Sequence, residues 1–244
     1  MGRYSKSLAP AFADASGIRP DMRVLDVGCG PGALTSELAG RVGEEHVGAI
    51  DPAERFVEAC RARHPRADVR HGGAESLPWA DATFDAALCS LVIAFMEDTE
   101  QGLSEMSRVT RPGGVVSACM WDLRSGGGMT MLCTFWDVAR EIDPAVADES
   151  GRPGVTEGDI GNRMRQAGLQ DVHDGVVEAH VSYADFADFW EPFTYGIGPA
   201  GQYLAAVPDE HKAQLREGCR SRLPDGPFTL TARAWFARGT VKGV

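Results

Sequence analysis

The first half of the chain alternates between two hydrophobic periods. Short apolar runs are typical of strands, and apolar residues spaced three or four apart are typical of helices packed on a sheet. Leu34, Leu38 and Val42 fall on one face of a predicted helix, and Thr35 lies off that face. Predicted strands cover 24–27, 47–50, 68–70, 83–90 and 115–120, and further predicted helices cover 53–63 and 99–109.

After residue 120 the pattern predicts strands at 172–181 and 228–238, separated by segments rich in aromatic residues. Strands that alternate with helices indicate an α/β protein with a mostly parallel sheet. We therefore predict a doubly wound sheet of seven strands, with helical insertions after the fifth and sixth strands. The 244 residues are expected to form one domain, with an N-terminal helix in 1–20, a core in 21–121, and insertions in 122–155 and 182–224.

Three glycines follow the first predicted strand at alternate positions, Gly28, Gly30 and Gly32, and a helix comes directly after them. Glycine permits positive φ and has no Cβ to block an approaching ligand, and a helix start presents free N–H groups. Asp51 ends the second predicted strand. A carboxylate about 20 residues beyond such a turn is placed to accept hydrogen bonds from ribose hydroxyls. The pattern predicts a site for a cofactor that contains a nucleoside.

Two classes of cofactor fit this turn. The spacing Gly28-x-Gly30-x-x-Ala33 satisfies the relaxed dinucleotide fingerprint, which favours a nicotinamide-dependent oxidoreductase. The oxidoreductase interpretation does not explain Asp26 inside the strand, and the sequence has no Tyr-x-x-x-Lys hydride-site pattern.

Four motifs in order resemble class I S-adenosylmethionine-dependent methyltransferases of the small-molecule Methyltransferase-11/UbiE-like group. They read LDVGCGPG with Asp51 behind it, then AESLPW, then Phe84-Asp85, then RVTRPGG from Arg108. The resemblance spans roughly residues 20–120. It implies a Rossmann-like fold, S-adenosylmethionine as the cofactor and S-adenosylhomocysteine as its product.

The resemblance also implies the cofactor contacts. Asp51 would hold the ribose hydroxyls, Asp26 would support the amino group, and Ser90 would face the sulfonium end. The full predicted set is Tyr4, Asp26, Gly28, Cys29, Gly30, Asp51, Pro52, Gly73, Ala74, Glu75, Ser90 and Leu91. One position departs from the family: Gly73 stands where an Asp often bonds the adenine amino group, so the Ala74 backbone, Glu75 or a neighbouring residue must hold the adenine.

The aromatic residues of the two insertions are the predicted substrate contacts, either as walls of a dry acceptor site or only as packing between insertion and sheet. The predicted substrate residues are Trp136, Trp190 and Tyr195 of the insertions and Trp121, which follows the fifth predicted strand and could equally belong to the core. A general base is needed only if the acceptor nucleophile starts protonated. The sequence alone places no catalytic base.

The net charge and the spacing of the cysteines disfavour several classes of binding partner. The net charge of −11 and the lack of a Lys/Arg-rich run disfavour nucleic acid and an anionic membrane surface. The six cysteines form no C-x-x-C pair, so no metal site is expected. No signal-peptide core or membrane-length apolar run is present, and we expect a cytoplasmic protein. The oligomeric state is left open.

These observations favour methyl transfer to a small-molecule acceptor through an O, N or C nucleophile. A NAD(P)-dependent oxidoreductase and a non-catalytic module that binds S-adenosylmethionine are the alternatives.

Overall fold

The computed structural model describes residues 2–124 and 126–243. The helices are α1 Gly2–Ala15, α2 Ala33–Val42, α3 Glu54–Arg63, α4 Thr99–Val109, α5 Thr130–Ile142, α6 Asp159–Gln166, α7 Phe186–Thr194, α8 Gly198–Ala206 and α9 Asp209–Arg220. The strands are β1 Val24–Val27, β2 Val47–Asp51, β3 Asp68–His71, β4 Phe84–Ser90, β5 Thr110–Trp121, β6 Gln170–Tyr183 and β7 Phe228–Thr240. Short 3₁₀ turns cover Glu44–His46 and Ile93–Phe95.

The seven strands form one sheet in the order β3-β2-β1-β4-β5-β7-β6. The pairs from β3 to β5 are parallel, and β7 runs antiparallel to both of its neighbours. The predicted mostly parallel, seven-stranded α/β architecture is confirmed. Strand order reverses between β1 and β4, and ligands of such sheets bind beyond the carboxyl ends of the strands at this point.

The fifth strand is longer than predicted. It begins at Thr110, which pairs with Phe84, and its next register pair is Ala86 with Val115. Residues 111–114, which lie outside the predicted strand 115–120, therefore form a bulge inside β5. The Gly113 N–H donates to the Val241 carbonyl, and the Val241 N–H donates to the Gly114 carbonyl. These two hydrogen bonds hold the bulge in the sheet.

Helix α1 packs against β6 and α2. Its apolar stripe includes Leu8 and Phe12, both fully buried, and Phe12 meets the Phe236 ring edge-on at 6.0 Å. Arg3 at its start pairs with Asp188 of α7 at 2.8 Å. The N-terminal helix thus ties the far edge of the sheet to the second insertion.

No helix in the part of the chain that the structure describes is long and apolar enough to cross a membrane.

Candidate active site

The carboxyl ends of β1, β2 and β4 lie side by side, and we call this the carboxyl edge. Val27 pairs with Ile50 on one side and Cys89 on the other. The residues that follow, Gly28, Asp51 and Ser90, therefore emerge at the same edge.

Asp26 is a buried carboxylate within β1, 1% exposed. Its Oδ2 accepts a 2.7 Å hydrogen bond from the Thr35 hydroxyl of α2, whereas Oδ1 is buried without a partner. Burial raises the pKa of Asp26 to about 7, the Thr35 hydrogen bonds lower it, and the nearby Asp51 charge raises it. Thr35 was expected off the packed face of α2; it is fully buried because it serves this carboxylate.

Gly28 makes room for a side chain that the sequence did not predict. A Cβ built there would lie 2.4–2.9 Å from the side chain of Val92, and the Gly28 N–H donates to the Ile50 carbonyl at 2.8 Å. The missing side chain therefore accommodates the chain that follows β4, and the role of Gly28 as a cofactor contact stays a prediction.

Gly30 matches the expectation better. Its φ is +53°, and nothing lies within 4 Å of a Cβ built on it. Its N–H donates to Asp51 Oδ2 at 2.9 Å, while Asp51 Oδ1 accepts from Ala53 N at 2.8 Å. Each carboxylate oxygen keeps a further lone pair. The open space beside Gly30 is thus bordered by a buried carboxylate that retains acceptor capacity.

Cys29 and Pro52 flank this arrangement. Cys29 is buried, and its thiol points to the Gly30 carbonyl at 3.5 Å. Pro52 is exposed, and its carbonyl accepts from His71 Nε2 at 2.9 Å.

The loop after β3 supplies a second carboxylate. A Cβ at Gly73 would lie 2.9 Å from Glu75 Oε2, and Glu75 Oε1 accepts from the Glu97 N–H at 2.9 Å. Ala74, which lies between Gly73 and Glu75 in the sequence, is buried. The Glu75 carboxylate therefore lies beside the position that lacks a side chain at residue 73.

The end of β4 carries an unusual backbone. Leu91 has φ +64°, and its N–H donates to the Cys119 carbonyl at 2.9 Å. Non-glycine residues in this region are uncommon and cluster at functional sites. The Ser90 hydroxyl lies 3.7 Å from the Cys119 sulfur.

Tyr4 does not cover the mouth of the site. It is fully buried, its ring meets Trp121 edge-on at 6.1 Å, and its hydroxyl lies 2.7 Å from that of Tyr183. The Tyr183 hydroxyl also points to Met131 Sδ at 3.4 Å. Tyr4 is wrong as a cofactor contact because its hydroxyl is used inside the helix–sheet core.

Three of the four predicted substrate rings are buried against other aromatic side chains. Trp121 and Trp136 are 3% exposed and Trp190 is 8% exposed. Phe135 contacts both Trp136 and Trp190, and Trp121 of β5 packs on Tyr4 of α1. Packing accounts for these three rings, and their role as substrate contacts stays a prediction.

Tyr195 is 61% exposed, and its hydroxyl bonds Glu191 at 2.7 Å. Its ring lies on the surface just after α7, which ends at Thr194, and its assignment as a substrate contact stays a prediction.

The comparisons with known proteins agree with this geometry. A family model described as a methyltransferase domain matches residues 25–118. A demethylmenaquinone methyltransferase of Streptomyces avermitilis is 28% identical over 185 residues, covering 69% of this chain and 79% of that protein. A crystal structure of an S-adenosylmethionine-dependent methyltransferase from Thermotoga maritima covers 99% of this chain and 91% of its own, with a TM-score of 0.58 and 20% identity.

These matches support a class I S-adenosylmethionine-dependent methyltransferase, and the family match lies within residues 25–118. A Streptomyces fradiae transposon protein of 37.1 kDa, itself uncharacterised, is 32% identical over 171 residues. The chain covers 47% of that protein and 38% of a malonyl-[acyl-carrier protein] O-methyltransferase from Erwinia billingiae. The chain thus spans less than half the length of the first relatives it matches.

The residues at the carboxyl edge fit S-adenosylmethionine, the cofactor of the methyltransferases that the chain resembles. Asp26 Oδ1, buried and unpartnered, suits a cationic amino group, because a buried acceptor without a partner is costly. The open space beside Gly30 suits a ligand that approaches the backbone. No group of three or more metal-ligating side chains occurs among residues 2–124 and 126–243.

Sequence reasoning missed two residues at this edge, Thr35 and Val92. They are ordinary helix and loop residues whose roles depend on contacts across the sheet edge. Sequence reasoning also missed Glu149, a buried carboxylate in an irregular segment with no periodicity to mark it.

Proposed function

We propose that this methyltransferase transfers a methyl group from S-adenosylmethionine to a small-molecule acceptor by direct displacement. The observation that supports this best is the unpartnered Oδ1 of Asp26, buried at the same edge as the open space beside Gly30. A dinucleotide has no cationic amino group for that carboxylate oxygen.

Each carboxylate at the edge has a proposed role. Asp26 holds the amino group of the cofactor, Asp51 holds the ribose hydroxyls, and Glu75 replaces the missing residue-73 side chain as acceptor for the adenine amino group. When bound, S-adenosylmethionine supplies a methyl carbon already activated by a sulfonium. The protein's own contribution is to position the acceptor and exclude water.

We infer that the acceptor is small and partly apolar. The two insertions follow β5 and β6, whose carboxyl ends are at the edge that holds the donor, and they bury many aromatic side chains. A protein of net charge −11 does not favour a polyanion. A groove of about 340 Å³ between α7, α8 and α9 is lined by Trp190, Phe193 and Leu204, with Lys212 and Arg216 also on its walls.

Thermal unfolding with S-adenosylhomocysteine or NAD separates this function from an oxidoreductase. A ligand at 100 times its Kd stabilises by about 2.7 kcal/mol, so only the true cofactor raises the Tm. Transfer of label from S-adenosylmethionine to a metabolite extract then separates an enzyme from a binding module. A rise with NAD alone would overturn the proposal.

Asp51→Ala is expected to weaken S-adenosylhomocysteine binding about tenfold to a hundredfold. The variant loses a charged acceptor worth about 1.5–3 kcal/mol. Calorimetry measures the Kd, and Glu54→Ala, which removes an exposed carboxylate three residues away, is the matched control. An unchanged Kd for Asp51→Ala would refute its role.

The insertions are expected to become more protected when the cofactor site is filled. Amide hydrogen exchange of 130–142 and 186–206, with and without S-adenosylhomocysteine, measures this because closure over the ligand removes local opening. Segment 99–109, the helix α4 between β4 and β5 in the chain, is the internal comparison. Equal exchange of the insertions in both states would show that they do not respond to the donor site.

A further inference from the structure

Glu149 is a buried carboxylate without an ion-pair partner among the described residues. It is 5% exposed and accepts one hydrogen bond, 3.2 Å from Trp136 Nε1 of α5. Burial raises its pKa, and the Trp136 hydrogen bond and the Arg152 charge lower it. The neighbouring guanidinium of Arg140 is already held by Asp137 and Asp148.

The loop that carries Glu149, residues 143–158, joins α5 to α6 and packs against the chain that follows β4. The Arg152 guanidinium lies 4.9 Å from the ring centroid of Phe95. A Cβ built on Gly154 would be 2.8 Å from Ile93 Cγ2 and 3.2 Å from Met120 Cβ. Ile93 is two residues beyond Leu91, so this loop touches the segment that begins at the proposed donor end of the site.

A purely structural role does not explain the charge. The carbonyl oxygen of a glutamine would accept the same hydrogen bond from Trp136 without the cost of burying a carboxylate. Arg152, the cation closest in sequence, stacks on Phe95 and forms no ion pair of 4.0 Å or less with Glu149. The buried charge therefore suits a cationic group brought by a ligand.

We propose that Glu149 binds the protonated amine of the acceptor and accepts its proton, so that the substrate is a small apolar amine. This inference rests on the proposed function. The Glu149 carboxylate takes one proton from the ammonium, which leaves the nitrogen a free electron pair. The new N–C bond forms as the methyl carbon's bond to sulfur breaks with its electrons left on sulfur, and the proton leaves Glu149 for water.

An amine agrees with the surroundings better than a neutral or anionic acceptor. The Tyr203 ring lies 5.6 Å from that of Trp136, and aromatic faces attract cations. The net charge of −11 attracts cationic molecules to the protein. A carboxyl group whose pKa is raised is also a better proton acceptor.

Calorimetric titration with 2-phenylethylamine tests the proposal. The amine is added to the chain with and without saturating S-adenosylhomocysteine, and 2-phenylethanol and 3-phenylpropionate serve as neutral and anionic probes of similar shape. The variants are Glu149→Gln and, as a control on the same loop, the exposed Glu157→Gln. Wild type and Glu157→Gln are expected to bind only the amine, and Glu149→Gln to bind it about tenfold or more weakly.

A second variant tests the carboxylate without removing it. Trp136→Phe lacks the N–H that stabilises the ionised form, so the pKa of Glu149 rises. Amine binding, which requires the ionised carboxylate, is lost as pH falls through that pKa. Its midpoint should therefore lie at higher pH in Trp136→Phe than in wild type.

The outcomes are distinct. Equal amine affinity in wild type and Glu149→Gln, no amine binding by wild type, or an unmoved pH midpoint in Trp136→Phe would each overturn the proposal. If Glu149→Gln has a lower Tm and weaker S-adenosylhomocysteine binding, the residue is structural and the proposal is also wrong. Failure of wild type to bind S-adenosylhomocysteine would instead refute the proposed function, and the titration without it still reports on Glu149.

Discussion

Asp26→Asn is expected to stabilise the ligand-free protein at pH 8 and to weaken its binding of S-adenosylhomocysteine. The carboxylate has an ordinary pKa of 3.8 and a pKa of about 7 in the folded chain, so burying its charge opposes folding at neutral pH. A tenfold change in proton affinity corresponds to about 1.4 kcal/mol. The rise of the pKa from 3.8 to about 7 therefore limits the free-energy cost of burying the charge to about 4 kcal/mol. Asparagine has a similar shape and no such penalty.

The pH dependence has a definite sign. The folded state binds more protons than the unfolded state between pH 3.8 and about 7, so this group lowers stability as pH rises through that window. The advantage of Asp26→Asn should therefore be near zero at pH 4 and largest at pH 8, as measured by urea unfolding.

The binding half of this prediction has its own reason and control. The cofactor's amino group is proposed to pair with Oδ1, and the loss of a buried charged acceptor should raise the Kd about tenfold or more. Thr35→Val, which deletes the donor to Oδ2 but keeps the carboxylate, should retain binding better. Lower stability of Asp26→Asn at both pH values, or an unchanged Kd, would contradict the role of Asp26.

Gly30→Val is expected to abolish S-adenosylhomocysteine binding in a protein that still folds. The valine side chain enters the open space beside the carboxyl edge, where the ligand is proposed to lie, so it would overlap with the bound ligand. Valine at φ +53° also strains the backbone by about 1–3 kcal/mol. Calorimetry measures binding, and the far-UV spectrum with the Tm measures folding.

Two other glycines separate the possible causes. Gly113 has φ +75° and open space around it, but it lies in the β5 bulge, so Gly113→Val carries similar strain and should bind normally. At Gly28 a Cβ overlaps Val92, so Gly28→Ala should lower the Tm. If Gly30→Val and Gly113→Val bind equally well, the space beside Gly30 does not hold the ligand.

The sequence was informative where local pattern decides structure. The glycine turn, Asp26 and Asp51 are consecutive features of one strand–turn–helix–strand unit, so spacing alone predicts that they meet. The parallel order of the sheet follows from the same alternation of short apolar runs and helical faces. Even there, the reason for Gly28 escaped prediction, because Val92 comes from a strand end more than 60 residues later.

The structure of the second half of the chain depends on long-range contacts that hydrophobic periodicity does not predict. Tyr4 and Tyr183 bond across 179 residues, which removes Tyr4 from the proposed site. Tyr195 and Trp190 looked alike as aromatic residues of one insertion, yet α7 buries one and exposes the other. Glu149 meets Trp136 only because the chain after α5 folds back against that helix.

The most direct measurement is a crystal structure of this chain grown with S-adenosylhomocysteine. The account predicts the ligand at the carboxyl edge, with its amino nitrogen within hydrogen-bond distance of Asp26 Oδ1, its ribose hydroxyls at Asp51, and its backbone-facing side at Gly30. A ligand bound elsewhere, or one that leaves Asp26 Oδ1 without a partner, would contradict it.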